Sequence, residues 1–253
     1  AINALPPLAL VAAALRLPHG ESPEELSIAI AENKARADLD PELVDEDGFP
    51  VMTLRSRDAV DEALREEITA CWTANGIPQL NLSDEQWRAI TMASAVAGDL
   101  ASTAARDLMP AEGVPPVLQV LPILPQEWDI EQRRATGTWL KHTVAQFGWP
   151  PGQMALADEK QEPSTPAAIL GSLAHEASNG APLVALLVAC ASNLGEATVT
   201  RWEESGSLFT SSQPHGRIPG EGGAGLLVTD LQQASSLDDA LVTLLDPIAE
   251  ARR

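Results

Sequence analysis

Two cysteines and four histidines are the residues of this chain best suited to act as nucleophiles, proton carriers or metal ligands. Cys71 and Cys190 lie in apolar segments and form no CxxC pair, so their spacing predicts no zinc site. In such segments a lone cysteine usually acts as a small hydrophobic residue, although a disulfide between the two stays open. The histidines are scattered along the chain, at His19, His142, His175 and His215.

Known catalytic and cofactor patterns are also absent from the sequence. No Gly-x-Ser-x-Gly elbow is present for a hydrolase, and "GSLAHE" at 171–176 lacks the second histidine of a zinc helix. The glycine-rich stretch "PHGRIPGEGGAGLLVTD" (214–230) has no lysine after its glycines and leads into a strand rather than a helix. It therefore fits neither a phosphate-binding loop nor a dinucleotide fingerprint. We expect no catalytic residue, no metal and no cofactor.

The same stretch is interpreted as a structural corner followed by a buried strand. Gly220, Gly222 and Gly225 would permit a tight turn and a close approach of backbones. Glu221 is the one residue there that suggests chemistry. Its carboxylate is expected to accept hydrogen bonds from nearby backbone N–H groups instead.

Charge excludes two classes of partner. The chain has 36 acidic and 16 basic residues, and its formal charge of −20 repels nucleic acid and anionic lipid. Residues 21–47 hold ten acids and two bases, which favours a solvated face. No apolar run is long enough to span a membrane, so the chain as given is expected to be soluble without direct membrane insertion. The sequence leaves open an anchor before Ala1, the compartment and the oligomeric state.

Hydrophobic periodicity predicts strands that alternate with helices. Ser22 with Glu25 and Ser83 with Gln86 are capping boxes, and the second opens a helix over 84–107. The alternation predicts an α/β layered domain with a largely parallel sheet flanked by helices, and the lack of a linker predicts one domain over 1–253. Predicted strands cover 8–17, part of 45–54, 117–124, 153–157, 182–192 and 223–230, and further helices cover 22–33, 60–71, 129–148, 165–178 and 195–205.

Tryptophans provide candidate contacts for a partner. Trp87 and Trp139 fall on apolar helical stripes and are expected in the core, together with Phe147. Trp128 and Trp149 lie at loop ends, the second directly before a proline, and are the partner-binding candidates.

The segment from Leu186 to Asp230 resembles β-ketoacyl synthases and their relatives of the thiolase fold. In that family a strand and a helix precede a Gly-Glu-Gly-Ala-Gly loop and an apolar strand, and here the loop reads "PGEGGAG". The resemblance implies a thiolase-like layered α/β architecture. It also implies a nucleophilic cysteine at an earlier strand-to-helix turn, but the matching turn "ALADEKQEPSTPAAIL" has none, and Ser164 is interpreted as a helix N-cap. No histidine follows Asp230, so the family's condensing chemistry is not expected.

Three segments look like a family of thiolase-like adaptors encoded beside lipase effectors of bacterial type VI secretion systems: "VDEDGFPVMTLRS", "VLPILPQEW" and "HGRIPGEGGAGLLV". This resemblance implies a non-catalytic protein that binds a lipase effector and delivers it to the secretion spike. An acidic surface would speed its encounter with a basic partner. Two alternatives stay open: an acyl-binding or condensing subunit completed by another chain, and a structural domain of a larger anchored protein.

Overall fold

The computed structural model describes residues 6–157, 165–238 and 242–245, which pack as two compact units. Of these residues, the first unit comprises 6–14, 96–157, 165–189, 225–238 and 242–245, and the second comprises 15–95 and 190–224. Among the described residues no helix is long and apolar enough to cross a bilayer. The strands are β1 (Leu8–Arg16), β2 (Asp38–Val44), β3 (Pro50–Thr53), β4 (Leu118–Ile123), β5 (Met154–Leu156), β6 (Val184–Ser192), β7 (Glu221–Thr229) and β8 (Thr243–Leu245). The helices are α1 (Pro23–Ala31), α2 (Glu62–Ala74), α3 (Asp84–Asp107), α4 (Ile130–Gln146), α5 (Pro166–Ser178) and α6 (Glu196–Glu204).

A six-stranded sheet organises the first unit, in the order β5-β4-β6-β7-β1-β8. Strand β4 lies parallel to both β5 and β6, whereas the short β8 pairs antiparallel with β1. Parallel neighbours need a crossover connection. Helix α4 connects β4 to its neighbour β5, and α5 lies between β5 and β6, which pairs with the other side of β4. The sheet is thus mostly parallel, as the sequence predicts.

Strand β6 shows why the sheet is covered on both faces. Leu183, Ala185 and Leu187 pack with Leu173 of α5 in one apolar cluster. The alternate residues Val184, Leu186 and Val188 are also fully buried. Since successive side chains of a strand point to opposite faces, both faces of β6 lie in a core, and its uninterrupted apolar sequence follows from that position.

The second unit is built around a small antiparallel sheet and a helix. Strands β2 and β3 form a hairpin with an irregularity in register between Leu39 and Val44. Its inner face, Leu43 and Val51, packs against Val199 of α6. The unit also contains α1, α2 and the first half of α3, where Trp72 and Trp87 stack with ring centroids 5.6 Å apart.

Most predicted elements are confirmed, including the bounds of α3 and its capping box, in which both Ser83–Gln86 hydrogen bonds form. Strand β2 is not predicted. The other capping box is half formed, because the Glu25 carboxylate accepts from Glu21 N–H rather than from Ser22. The N-cap of α5 is Thr165, not Ser164, which lies outside the described residues. Phe147 is 44% exposed instead of buried.

Gly225 provides a test of how tightly the sheet packs in the first unit. A Cβ atom at this position would lie 2.6 Å from the Leu187 carbonyl oxygen and 2.7 Å from Val96 Cγ1. We expect Gly225→Ala to lower the free energy of unfolding by about 2 kcal/mol, as measured by urea denaturation. The matched control is Gly171→Ala on α5, where a Cβ meets no atom within 4 Å. It should stabilise the chain by about 0.5 kcal/mol, and equal effects of the two changes would contradict the packing argument.

Candidate functional site

The Glu221 carboxylate, at the start of β7, is the most constrained ionisable group of the second unit. Its side chain is fully buried. Oε2 accepts from Arg88 Nε at 2.7 Å and from Ser192 Oγ at 3.0 Å, and Oε1 accepts from Ser56 N–H at 2.7 Å and from Arg88 Nη2. Each oxygen therefore has two donors, and the pair with Arg88 is bidentate.

The same residues hold four chain segments together. Arg88 lies on the first turns of α3 and also donates to the Ser56 carbonyl at 2.8 Å. Ser192 ends β6, and backbone hydrogen bonds join Leu54 to Pro219 and Glu221. The carboxylate thereby fixes the chain that leaves β3 beside the start of β7.

This arrangement suits a structural role. A general base needs a free lone pair within reach of a proton on the substrate, but the Glu221 oxygens are occupied by four donors and shielded from solvent. Of the backbone N–H groups that Glu221 is predicted to satisfy, it accepts from one, that of Ser56, and its other donors are side-chain groups. Its ion pair with Arg88 is not predicted.

The glycines beside Glu221 differ from the predicted corner. Gly222 and Gly225 lie within β7, Gly220 directly precedes it, and none of the three has a positive φ. The prediction of a tight turn at these glycines is therefore wrong. The prediction that they allow a close approach of other chain segments is confirmed. A Cβ at Gly222 would overlap the Leu17 side chain, and one at Gly220 would lie 3.2 Å from Leu54 Cβ.

A second buried carboxylate, Asp40, fixes the irregular part of β2. It accepts from Thr53 Oγ1 at 2.6 Å, from Arg55 Nε and Nη2 at 2.8 and 2.9 Å, and from the amides of Glu42 and Leu43. Burial opposes its ionisation, but the hydrogen bonds from Arg55, Thr53 and the two amides outweigh burial and lower the pKa of Asp40 to about 2. Asp40 is thus an exception to the solvated face predicted for residues 21–47.

Neither cysteine is placed as a nucleophile. Both are buried free thiols. Burial raises the pKa of Cys190 to about 12 and also raises that of Cys71, although Asn75 opposes the latter shift. A reactive thiol needs the opposite shift.

The histidines are not assembled into a site. His142, His175 and His215 are exposed, and His19 Nε2 lies 2.7 Å from the Arg36 carbonyl oxygen. Within the described ranges no group of His, Cys, Asp and Glu is arranged to hold a metal ion.

The two tryptophans predicted to contact a partner are buried in the first unit. Trp128 is 6% exposed and Trp149 is 2% exposed, and the Trp149 indole donates to the Gln153 carbonyl at 3.0 Å. Because neither ring is accessible, this structure contradicts their assignment as anchors for a partner. Trp128 N–H donates to the Pro125 carbonyl at 3.2 Å.

Arg88, Ser56 and Ser192 are the residues of this cluster that sequence reasoning misses, and only Arg88 has a signal in the sequence. Four and eight positions further along α3 are Met92 and Val96, which share its side of the helix and are buried. A single cation on an apolar helical face is the signal of a buried ion pair, but it does not identify the partner.

Comparison with solved structures finds ketosynthase domains. The ketosynthase from module 6 of the bacillaene synthase from Bacillus subtilis 168 is 15% identical with a TM-score of 0.55, over 90% of this chain and 41% of that one. The ketosynthase from module 1 of the bacillaene synthase from Bacillus amyloliquefaciens FZB42 is 14% identical, with a TM-score of 0.53 and coverage of 90% and 41%. An oxazolomycin ketosynthase domain from Streptomyces albus JA3453 is 13% identical, with a TM-score of 0.53 and coverage of 91% and 43%.

These likenesses establish the fold. The chain has a thiolase-like α/β fold with a mostly parallel sheet, as the sequence predicts, and it spans about two fifths of the length of these ketosynthases. No protein family and no curated protein matches the sequence.

Removing the Glu221 charge tests the ion pair. We expect Glu221→Gln to lower the free energy of unfolding by about 3 kcal/mol, because it leaves the buried Arg88 guanidinium without a carboxylate. Partner binding by the folded variant should change less than its stability. Thermal and urea denaturation measure the loss, with Glu66→Gln on the exposed face of α2 as the control. A variant that melts like the original chain but no longer binds a partner would refute the structural role.

The lowered pKa of Asp40 predicts that the stability of the chain depends on pH. Since its folded pKa is about 2 and its ordinary value is 3.8, its contribution is complete above about pH 4 and is lost as the pH falls through 2. The shift corresponds to about 2 kcal/mol. Urea denaturation from pH 5 to pH 2 should show a shallower decline for Asp40→Asn than for the control Asp38→Asn, an exposed residue of the same strand. Parallel curves would contradict this interpretation.

Proposed function

We propose that this chain is a non-catalytic thiolase-like binding protein that holds a lipase effector and delivers it to the spike of a type VI secretion system. The proposal combines the thiolase-like fold with the resemblance of three segments to adaptors of that system. Because function depends on sites rather than on the fold, the proposal depends on the side chains that are able to react.

The observation that supports the proposal most strongly is the burial of the thiols and of the Glu221 carboxylate. Both thiols are buried and have raised pKa values, and the Glu221 carboxylate is occupied by donors on both oxygens. The turn before α5, where a condensing enzyme of this fold carries its cysteine, contains no cysteine in its sequence. Side chains in these states support binding rather than acyl transfer.

A second candidate is an acyl-binding or ketosynthase-like subunit whose active site is completed by another chain. The similarity to ketosynthase domains favours it. It requires an acyl carrier or acyl-CoA to approach a protein of formal charge −20, and both of these ligands are usually anionic.

Direct binding measurements separate the two candidates. The purified chain is titrated calorimetrically with a purified lipase effector from the same secretion system, and in parallel with octanoyl-CoA. We expect binding of the lipase with a Kd of about 1 μM or tighter and no heat with octanoyl-CoA.

Intact-mass measurement after incubation with octanoyl-CoA supplies the second readout, with a ketosynthase domain as the positive control. The adaptor proposal predicts no acyl adduct on the chain. An adduct, or octanoyl-CoA binding without lipase binding, would overturn the proposal in favour of the acyl-binding subunit.

A further inference from the structure

The outer face of the β2–β3 hairpin is apolar and open. Leu39 lies opposite Met52, and Val44 lies opposite Pro50, and residues directly opposite in an antiparallel pair share a face. Leu39 is 60% exposed, Val44 is 51% exposed, and Phe49 in the connecting turn is 66% exposed. The inner face is already covered by α6, so this strip has a different role from the core. Apolar strips of this kind on a protein surface mark interaction sites.

The turn that carries Phe49 is stabilised by several hydrogen bonds. Asp45 Oδ1 accepts from the amides of Asp47 and Phe49 at 3.1 and 2.8 Å, and the Glu203 carboxylate of α6 accepts from Glu46 N–H at 3.1 Å. Gly48 adopts φ of +81°, which favours glycine. An aromatic ring on an ordered turn is presented to a partner with little loss of conformational entropy.

Charge determines which partner the strip accepts. Residues 38–53 contain six acids and no base. Asp40 is buried and paired with Arg55, which also lies 3.3 Å from the exposed Glu42 carboxylate. Asp38, Glu46 and Asp47 are exposed around the apolar residues. An apolar centre with an anionic rim is complementary to an apolar pocket rimmed by lysine and arginine.

Exposed apolar side chains are also concentrated in this part of the chain. Of the thirteen large apolar residues exposed within the described ranges, five lie between residues 28 and 49. The excess of acidic residues and the exposed apolar side chains thus occur in the same part of the chain. They are two separate observations, since neither requires the other. The five are Ile28, Ile30, Leu39, Val44 and Phe49.

We propose that the β2–β3 hairpin is the docking element of this chain and binds a cationic protein surface, with Phe49 inserted into an apolar pocket of that partner. This inference rests on the proposed adaptor function and names the surface that performs it. A second copy of the chain or an anionic membrane is disfavoured, because each would bring negative charge against the same rim.

Two variants test the apolar and the charged component separately. Phe49→Ala should weaken the purified complex with the lipase effector at least about tenfold, whereas the control Val114→Ala, at a residue 74% exposed, should not.

Glu46→Lys with Asp47→Lys should slow association about tenfold at 50 mM salt, and the difference should shrink at 500 mM. Its control, Glu66→Lys with Glu67→Lys on α2, makes the same change in net charge. Melting temperatures confirm that each variant is folded.

Photo-crosslinking in the bacterium that encodes the chain provides a readout independent of the lipase. Phe49→p-benzoylphenylalanine should form an adduct with a protein partner, and Val114→p-benzoylphenylalanine should not. If the lipase binds but neither hairpin variant weakens the complex, the docking inference is wrong and the adaptor proposal stands. If position 49 instead crosslinks a basic protein unrelated to lipases or the spike, and Phe49→Ala weakens that purified complex, the docking inference stands and the lipase role fails. Crosslinking to a second copy, or to no protein, overturns the inference.

Discussion

The second unit depends on one constraint: a carboxylate buried at the start of β7 must be fully compensated. Removing a charge from water costs several kcal/mol, which only good geometry and further hydrogen bonds recover. Glu221 meets this requirement with donors from Arg88, Ser56 and Ser192, so three other segments are placed by the needs of one side chain. Arg55, which directly precedes Ser56 in the chain, forms an ion pair with Asp40. That pair stabilises the irregular strand β2. Two buried carboxylates therefore set the position of the hairpin.

That position has a consequence for the surface. Because Leu43 and Val51 pack on α6, the alternate residues of the hairpin face solvent. They form an apolar strip that is surrounded by acidic residues. Such a strip lowers solubility and has a cost unless a partner covers it. The hydrogen-bonded turn at Asp45 orders the backbone at Phe49, the most exposed residue of this strip.

The sequence predicts those elements whose signals are local. Helix α3 begins and ends as predicted because its capping box and long stripe of small residues lie within one segment, and β6 is evident from its continuous apolar run. Strand β2 is missed since Asp, Pro and Glu are poor strand residues and the irregular register interrupts its alternation. Arg88 and Glu221 are 133 positions apart, so no local pattern can pair them. Glycines signal turns and close contacts alike, and only the tertiary structure shows that those of β7 serve the second purpose.

The similarity to ketosynthases at 13–15% identity concerns the backbone, and the same backbone can support different functions. What distinguishes one use from another is which side chains reach the surface. In this chain the thiols and the two most constrained carboxylates are buried, whereas aliphatic and aromatic groups beside acids are exposed. An apolar centre with a charged rim is the arrangement that the proposed adaptor role requires of the hairpin surface.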